Sequence, residues 1–321
     1  MPFFIVFGVL LLLFLAVVGI SYYCFKRVFY FPPRTPLKED EFELPPGQIC
    51  DEHQKAMIGW MKETRAMPCE KVSIISFDGL TLRGKYYECE KGAPIELLFH
   101  GYQGNSERDL CGGGVQRCFS IGRNALLVDH RAGGESDGNV ITFGINESKD
   151  CLRWIEFVLE KFGKDVKIIL GGISMGASTV LMTAGNTLPE NVVCVVADCG
   201  YSSAKEIIQK IVKDMGLPVK FVYPFIKLGA RLFGKFNLEE NSPLQAMETC
   251  KTPVLIFHGE EDDFVPFEMG EKIYAACKCK KRFVGVKGAG HGFAYPTDVE
   301  GYLRALKEFE EECYEEKTFE P

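Results

Sequence analysis

The sequence predicts an α/β fold: a largely parallel sheet covered by helices on both sides, preceded by an apolar N-terminal helix. Three observations carry this. From residue 95 onward, short apolar runs alternate with longer segments of helical period. Ahead of them, "KVSIISFDGLTLRGKYYE" reads as two alternating strands around Asp78-Gly79, a hairpin signal. The chain has 321 residues, 46% of them hydrophobic and 25% charged. Beyond the N-terminal region about 250 residues remain, enough for one domain to bury its core without disulfides or metal.

Taken in order, the first element is the apolar one. No charged residue occurs from Pro2 to Phe25, and "FFIVFGVLLLLFLAVVGI" is about one bilayer's worth of helix. Tyr22, Tyr23, Phe29, Tyr30 and Phe31 suit an interfacial belt. A cleaved signal peptide would need a basic n-region and a small-x-small site, and Tyr22 and Tyr23 before Cys24 spoil a lipoprotein signal. Residues 1–25 are therefore expected to be a single-pass membrane anchor. Lys26, Arg27, Arg34 and Lys38 follow the span, which places the remainder on the cytoplasmic side. Thirteen cysteines without paired spacing agree with a reducing compartment. A net charge of −7, deepened by the acidic "EFEEECYEEKTFE" terminus, argues against a nucleic-acid partner.

Residues 26–69 read as a linker and a short helix. Within them 32–47 has prolines at both ends and charge between, and Asp51–Arg65 carries Met57, Trp60 and Met61 on one side. Residues 70–321 form the main domain. After the hairpin, strands are predicted at Ile95–His100, Ala125–Asp129, Val166–Gly171, Val192–Ala197, Val254–His258 and Arg282–Val286. In "NESKDCLRWIEFVLEKF" the residues Cys151, Leu152, Ile155 and Leu159 make one helical face. One connection is too long for a simple crossover: about fifty residues separate Cys199 from Lys251.

The stretch "GGISMGAS" follows an apolar strand and precedes a helical segment. Gly172-Ile173-Ser174-Met175-Gly176 is a G-x-S-x-G at that junction, where a sharp turn presents a nucleophilic hydroxyl clear of the sheet. Glycine two residues to either side relieves side-chain clash in the strained turn. The helix that follows directs its amino end at the oxygen, where negative charge develops. A serine nucleophile needs a base. Of five histidines, His53 lies before the core, His100 and His258 end strands, and His130 sits in a glycine-rich turn. That leaves His291, in the loop "GAGHGF" after the last strand. For the acid that fixes the base's tautomer, Glu260 to Asp263 in "HGEEDDFVP" and Asp198 all qualify by position.

These motifs resemble the α/β-hydrolase superfamily, close to serine esterases, monoacylglycerol-lipase-like enzymes and related acyltransferases. The resemblance spans roughly Lys71 to Glu312 and keeps the order Ser…Asp…His. It implies a mostly parallel eight-stranded sheet with a helical lid, here at about 201–245. By resemblance to H-G-x-x-D-x-x-V-P, "HGEEDDFVP" selects Asp262 as the acid. "LLFHGYQGN" is similar to the oxyanion loop, which implies the backbone N–H groups of Tyr102 and Met175 as donors. "VDHRAGGES" resembles the D-x-R-G-x-G-x-S turn with Ala132 at the first glycine. The implied activity is ester hydrolysis through an acyl-enzyme at a Ser174–His291–Asp262 triad, with no metal and no cofactor. A thioesterase or acyltransferase would share that triad. A peptidase of this fold usually carries an accessory domain for which the linker is too short.

Two other motifs carry less. Cys277-x-Cys279 is too close-set for a common zinc site, and "CGGGVQR" at 111–117 lacks the lysine of a phosphate loop. The insertion is more informative. Ile207, Ile208, Ile211, Val212 and Met215 have helical spacing in its first half. In its second, Lys227, Arg231 and Lys235 recur on one face and Phe225, Leu228, Leu232 and Phe236 mark another. A basic amphipathic lid beside an anchor points to a lipid-like ester as partner and to contact with the membrane.

Overall fold

The computed structural model describes residues 2–32, 40–44 and 50–319. Most of the predicted 32–47 linker, including Arg34 and Lys38, lies outside them.

The chain starts in α1 (Pro2–Val28) and α2 (Asp51–Ala66), then forms the hairpin of β1 (Glu70–Ile75) and β2 (Thr81–Tyr87). Six further strands follow: β3 (Ile95–Phe99), β4 (Asn124–Val128), β5 (Ile168–Ile173), β6 (Val192–Asp198), β7 (Val254–Gly259) and β8 (Lys281–Val286). Their order is β1-β2-β4-β3-β5-β6-β7-β8. The β1–β2 and β2–β4 pairs are antiparallel and the others parallel. This is the mostly parallel eight-stranded sheet of an α/β-hydrolase. Strands β3, β4, β6 and β7 are buried at every position, as strands covered on both faces must be.

Between the strands run α3 (Ser106–Leu110), α4 (Gly114–Ser120), α5 (Ile145–Phe162), α6 (Met175–Ala184), α7 (Ala204–Asp214), α8 (Val219–Gly229), α9 (Pro243–Thr249) and α10 (Phe267–Ala276), and α11 (Ala294–Thr297) and α12 (Val299–Phe319) follow β8. One face of the sheet packs Trp154 of α5, Val180 of α6, Met247 of α9 and Ile273 of α10. The other meets Met61 of α2, Val115 of α4 and Tyr302 and Phe309 of α12. The buried side of α5 is Cys151, Trp154, Ile155 and Val158, with Leu152 and Leu159 only partly covered. Strand order reverses where β3 lies between β4 and β5, and loops leaving the carboxyl ends of strands on either side of such a point frame a crevice. The loop after β3 and the turn after β5 meet there.

Between β6 and β7 lie α7, α8, one turn of π-helix (Ala230–Gly234) and α9. Helix α9 belongs to the core layer, whereas α7, α8 and the π turn form a separate apolar cluster over the carboxyl ends of the strands. Two details differ from the helical faces read in the sequence. Met215 is 65% exposed, because it follows the last turn of α7. In the second half the buried residues are Tyr223, Ile226, Ala230 and Phe236, while Leu232 is 48% exposed and Phe225 and Leu228 are half-covered. Pro224 removes a helical N–H within α8, and the wider π turn adds a residue, so a single 3.6 period cannot hold across the segment.

Candidate active site

Ser174 stands between β5 and α6 at φ 56°, ψ −115°, a strained conformation that persists only where the surroundings impose it. The surroundings are specific. The Ser174 N–H donates to the Asp198 carbonyl of the neighbouring strand, and its own carbonyl accepts from Ser178 in α6. A Cβ on Gly172 would lie 2.3 Å from the Gly176 carbonyl, and one on Gly176 would lie 2.0 Å from the Phe99 carbonyl. The two motif glycines are thus required by close backbone approach, one to the other and one to β3.

Three side chains converge at this turn. His291 Nε2 lies 2.9 Å from Ser174 Oγ, and His291 Nδ1 lies 2.7 Å from Asp262 Oδ2. A carboxylate only accepts, so Nδ1 carries the proton and Nε2 is left to accept the serine O–H. Asp262 Oδ1 accepts the N–H groups of Phe264 and Val265 at 3.0 and 2.8 Å. Burial pushes the Asp262 carboxyl up, but His258 and His291 and the Val265 N–H outweigh it and hold the group down at about 2. Of the acids that the sequence left open, Asp198 turns elsewhere: its Oδ2 accepts the Tyr302 hydroxyl at 3.1 Å. Burial drives Asp198 up to about 6 against the pull of Arg117 and Tyr302. Ser174 and Asp262 are buried, His291 is partly open, and the ring of Phe264 lies 5.0 Å from the imidazole.

The loop after β3 abuts the serine, since a Cβ on Gly101 would sit 3.4 Å from Ser174 Cβ. Gly101 is held at both ends. Its N–H donates to Asp109 Oδ2 at 2.9 Å, and His100 Nδ1 donates to its carbonyl at 2.8 Å. His100 Nε2 in turn accepts the His130 N–H at 3.0 Å. Asp129 ties the same loop to the glycine-rich turn, accepting from Ser106 N–H and Glu135 N–H. Ala132, where the resembling turn has glycine, sits at φ 61°. Among the described residues, neither the Tyr102 N–H nor the Met175 N–H has a protein acceptor. Sequence reasoning missed Asp109, His100 and Phe264 as neighbours of the site. An acid ten residues after β3 carries no recognisable spacing.

Cys199, at φ 48° after β6, completes a group with Asp262 and His291 whose ligand atoms lie within 4.8 Å of one another. Two ligands on one tetrahedral zinc stand about 3.3 Å apart. The 2.7 Å between His291 and Asp262 is a direct hydrogen bond instead, and burial raises the Cys199 thiol well above its usual value. Neither favours a metal.

Residues 142–317 match the profile of the prolyl oligopeptidase family, more than half the chain. The chain belongs to that family. The match runs from the turn before α5 to α12 and includes Ser174, Asp262 and His291. Among individual relatives, an uncharacterised Bacillus subtilis protein, YqkD, is 27% identical over 192 residues, covering 60% of this chain and 63% of its own length. The chain thus matches less than two thirds of that relative. The lysophosphatidylserine lipase ABHD12 of Danio rerio is 23% identical over 66% of this chain and 58% of its own. A solved structure of an esterase from Pyrococcus furiosus superposes with a TM-score of 0.62 at 20% identity, covering 84% of this chain and 97% of the esterase. That likeness shows the α/β-hydrolase fold.

Proposed function

We propose that the chain is a membrane-anchored serine hydrolase that cleaves carboxylic esters through an acyl-enzyme. One observation carries the reading: the unbroken Ser174–His291–Asp262 hydrogen-bond chain on a strained strand-to-helix turn. His291 takes the Ser174 proton as the hydroxyl attacks the carbonyl carbon. Asp262, anchored by two backbone N–H groups, supports the imidazolium. The Tyr102 and Met175 N–H groups receive the oxyanion, a contribution of about 3 kcal/mol per donor. His291 then protonates the leaving alkoxide, and water activated by the same base releases the acid.

The substrate class follows from the surroundings. Helix α1 is long and apolar enough to cross a membrane. The named activity of the zebrafish relative and the apolar cluster under α7 and α8 both support a lipid-like ester. Lys26 and Arg27, after the apolar stretch, support a cytoplasmic catalytic domain. Domain limits follow the same reading: an anchor at 1–25, a linker and helix at 26–69, and a hydrolase domain at 70–321 with its lid at about 201–245. Family membership supports a second reading, peptide-bond cleavage at the same residues.

One panel decides between them. Purified full-length protein is offered nitrophenyl esters of two to sixteen carbons, acyl thioesters and aminoacyl nitroanilides. The proposal expects esters to be preferred, with kcat/KM rising with chain length and further with liposomes. Preference for the amides would replace it with the peptidase reading.

A further inference from the structure

The last turns of α1 are not a free stalk. Ser21, Phe25 and Phe29 are buried, while the residues from Phe3 to Leu15 leave their side chains largely exposed. The buried face packs on α8 and the π turn. Gly229 permits this approach, because a Cβ there would stand 2.4 Å from the Ser21 carbonyl and 3.2 Å from Phe25 Cβ. The Tyr22 ring meets Phe233 edge-on at 5.0 Å. Past the helix, Phe31 N–H donates to the Asn139 carbonyl and Ile141 N–H to the Phe29 carbonyl, both at 2.8 Å. The Phe29 ring then stands edge-on to Phe143 and Phe236, at 5.8 and 5.2 Å.

This contact reaches the site. The same Phe143 ring lies 5.0 Å from the ring of Tyr102, and the Tyr102 hydroxyl donates to the Val28 carbonyl at 2.8 Å. Val28 ends α1, so its carbonyl is among the last four that a helix leaves without an internal partner. Gln103 Nε2 donates to the Tyr102 oxygen at 3.1 Å and itself sits at φ 54°. Gly101 is clamped through its own N–H and carbonyl. Among the described residues, Tyr102, the next residue, makes its hydrogen bonds through its side chain alone.

We propose that the docked end of α1 is a working part of the active site. The Val28 carbonyl holds the Tyr102 hydroxyl, which sets the Tyr102 N–H against the oxygen of the reacting carbonyl. Tyr102 is thus a positioning residue through its side chain, and the rate depends on α1 remaining docked on α8. The inference rests on the proposed reading of the Tyr102 N–H as an oxyanion donor. Donors act when they lie 2.7–3.1 Å from the developing charge, and a misplacement of about 1 Å costs on the order of a hundredfold in rate.

The test uses the full-length protein in nanodiscs with a short-chain soluble ester, comparing wild type, Tyr102→Phe and Gly229→Leu. Tyr102→Phe keeps the ring and the backbone N–H, and Gly229→Leu pushes α1 from α8 at a distance from the chemistry. Readouts are kcat, KM, the inhibition constant of a trifluoromethyl ketone, and thermal melting. Both variants are expected to melt cooperatively, lose about tenfold in kcat with KM little changed, and bind the ketone about tenfold more weakly. If Gly229→Leu does not fold, Phe29→Ala replaces it with the same expectation. A kcat for Tyr102→Phe within twofold of wild type overturns the inference. So does a loss in Tyr102→Phe with none in a folded α1 variant, which would make the hydroxyl act without the anchor. A wild type that turns over no ester overturns the hydrolase reading as well, so the two failures are told apart by the wild-type lane alone.

Discussion

At the scale of single residues, two carboxyl groups beside the site have opposite electrostatic fates. The Asp262 carboxyl is held at about 2, below its unfolded value near 3.9. Its interactions therefore stabilise the fold fully above about pH 4 and are lost as pH falls through 2, a contribution of about 3 kcal/mol. Asp262→Asn is expected to remove that acid dependence from urea titrations and to lower kcat by about four powers of ten. Asp198, raised by burial to about 6, binds a proton more readily folded than unfolded. Stability attributable to it falls as pH rises from about 4 to 6. Asp198→Asn should therefore melt higher than wild type at pH 8, lose that advantage by pH 4, and keep near wild-type kcat. A loss of kcat in Asp198→Asn with none in Asp262→Asn would mean that the acid was assigned to the wrong strand. Gly176→Ala is expected to yield no folded protein, measured by circular dichroism, because its Cβ would fall 2.0 Å from the Phe99 carbonyl.

At the scale of elements, the sequence was most legible where period and punctuation agreed. Asp78-Gly79 marked the β1–β2 hairpin, and each of the six later strands lies within two residues of its predicted limits. The serine turn was readable because strand, G-x-S-x-G and helix are contiguous. The acid was not readable from the residues alone. Four carboxylates follow β7, and only the turn that aims Phe264 and Val265 N–H groups at Asp262 Oδ1 separates it from its neighbours. The buried faces of α8 and the π turn were hidden by Pro224 and by the turn itself, which no periodicity announces. Helix α5 shows a further element-level device. Glu147 is fully buried and accepts from Thr142 N–H, Thr142 Oγ1 and Gly144 N–H at 2.8, 2.5 and 2.9 Å. This cap fixes the loop that pairs with Phe29 and Phe31. Glu147→Leu should lower unfolding free energy by about 3 kcal/mol, read from denaturant midpoints, since it leaves those donors buried without an acceptor.

At the scale of the whole molecule, a buried ion network ties the sheet to the C-terminal helix. Glu96 on β3 is fully buried between Arg117 and Arg123, and Arg123 reaches Glu310 on α12. Burial opposes ionisation of Glu96, but the two guanidinium groups outweigh it and keep the carboxyl below its usual range. Glu96→Ala leaves two buried cations without their shared anion and is expected to cost about 4 kcal/mol, measured by urea unfolding. Over the carboxyl ends of the strands, α1, α7, α8 and the π turn pack as one apolar body. About 27 Å of helix, from Phe3 to Ile20, extends from it, close to the thickness of a bilayer's hydrocarbon core. The site, helices α7 and α8 and the apolar helix α1 are therefore contiguous.

The most direct measurement of the central claim is active-site labelling with a fluorophosphonate probe, comparing full-length wild type with Ser174→Ala, both shown to be folded and both assayed with liposomes present. The account predicts one probe adduct per wild-type chain, located at Ser174 by peptide mapping, and none in the variant. Equal labelling of the two proteins, or a folded wild type that takes up no probe with liposomes present, would contradict it.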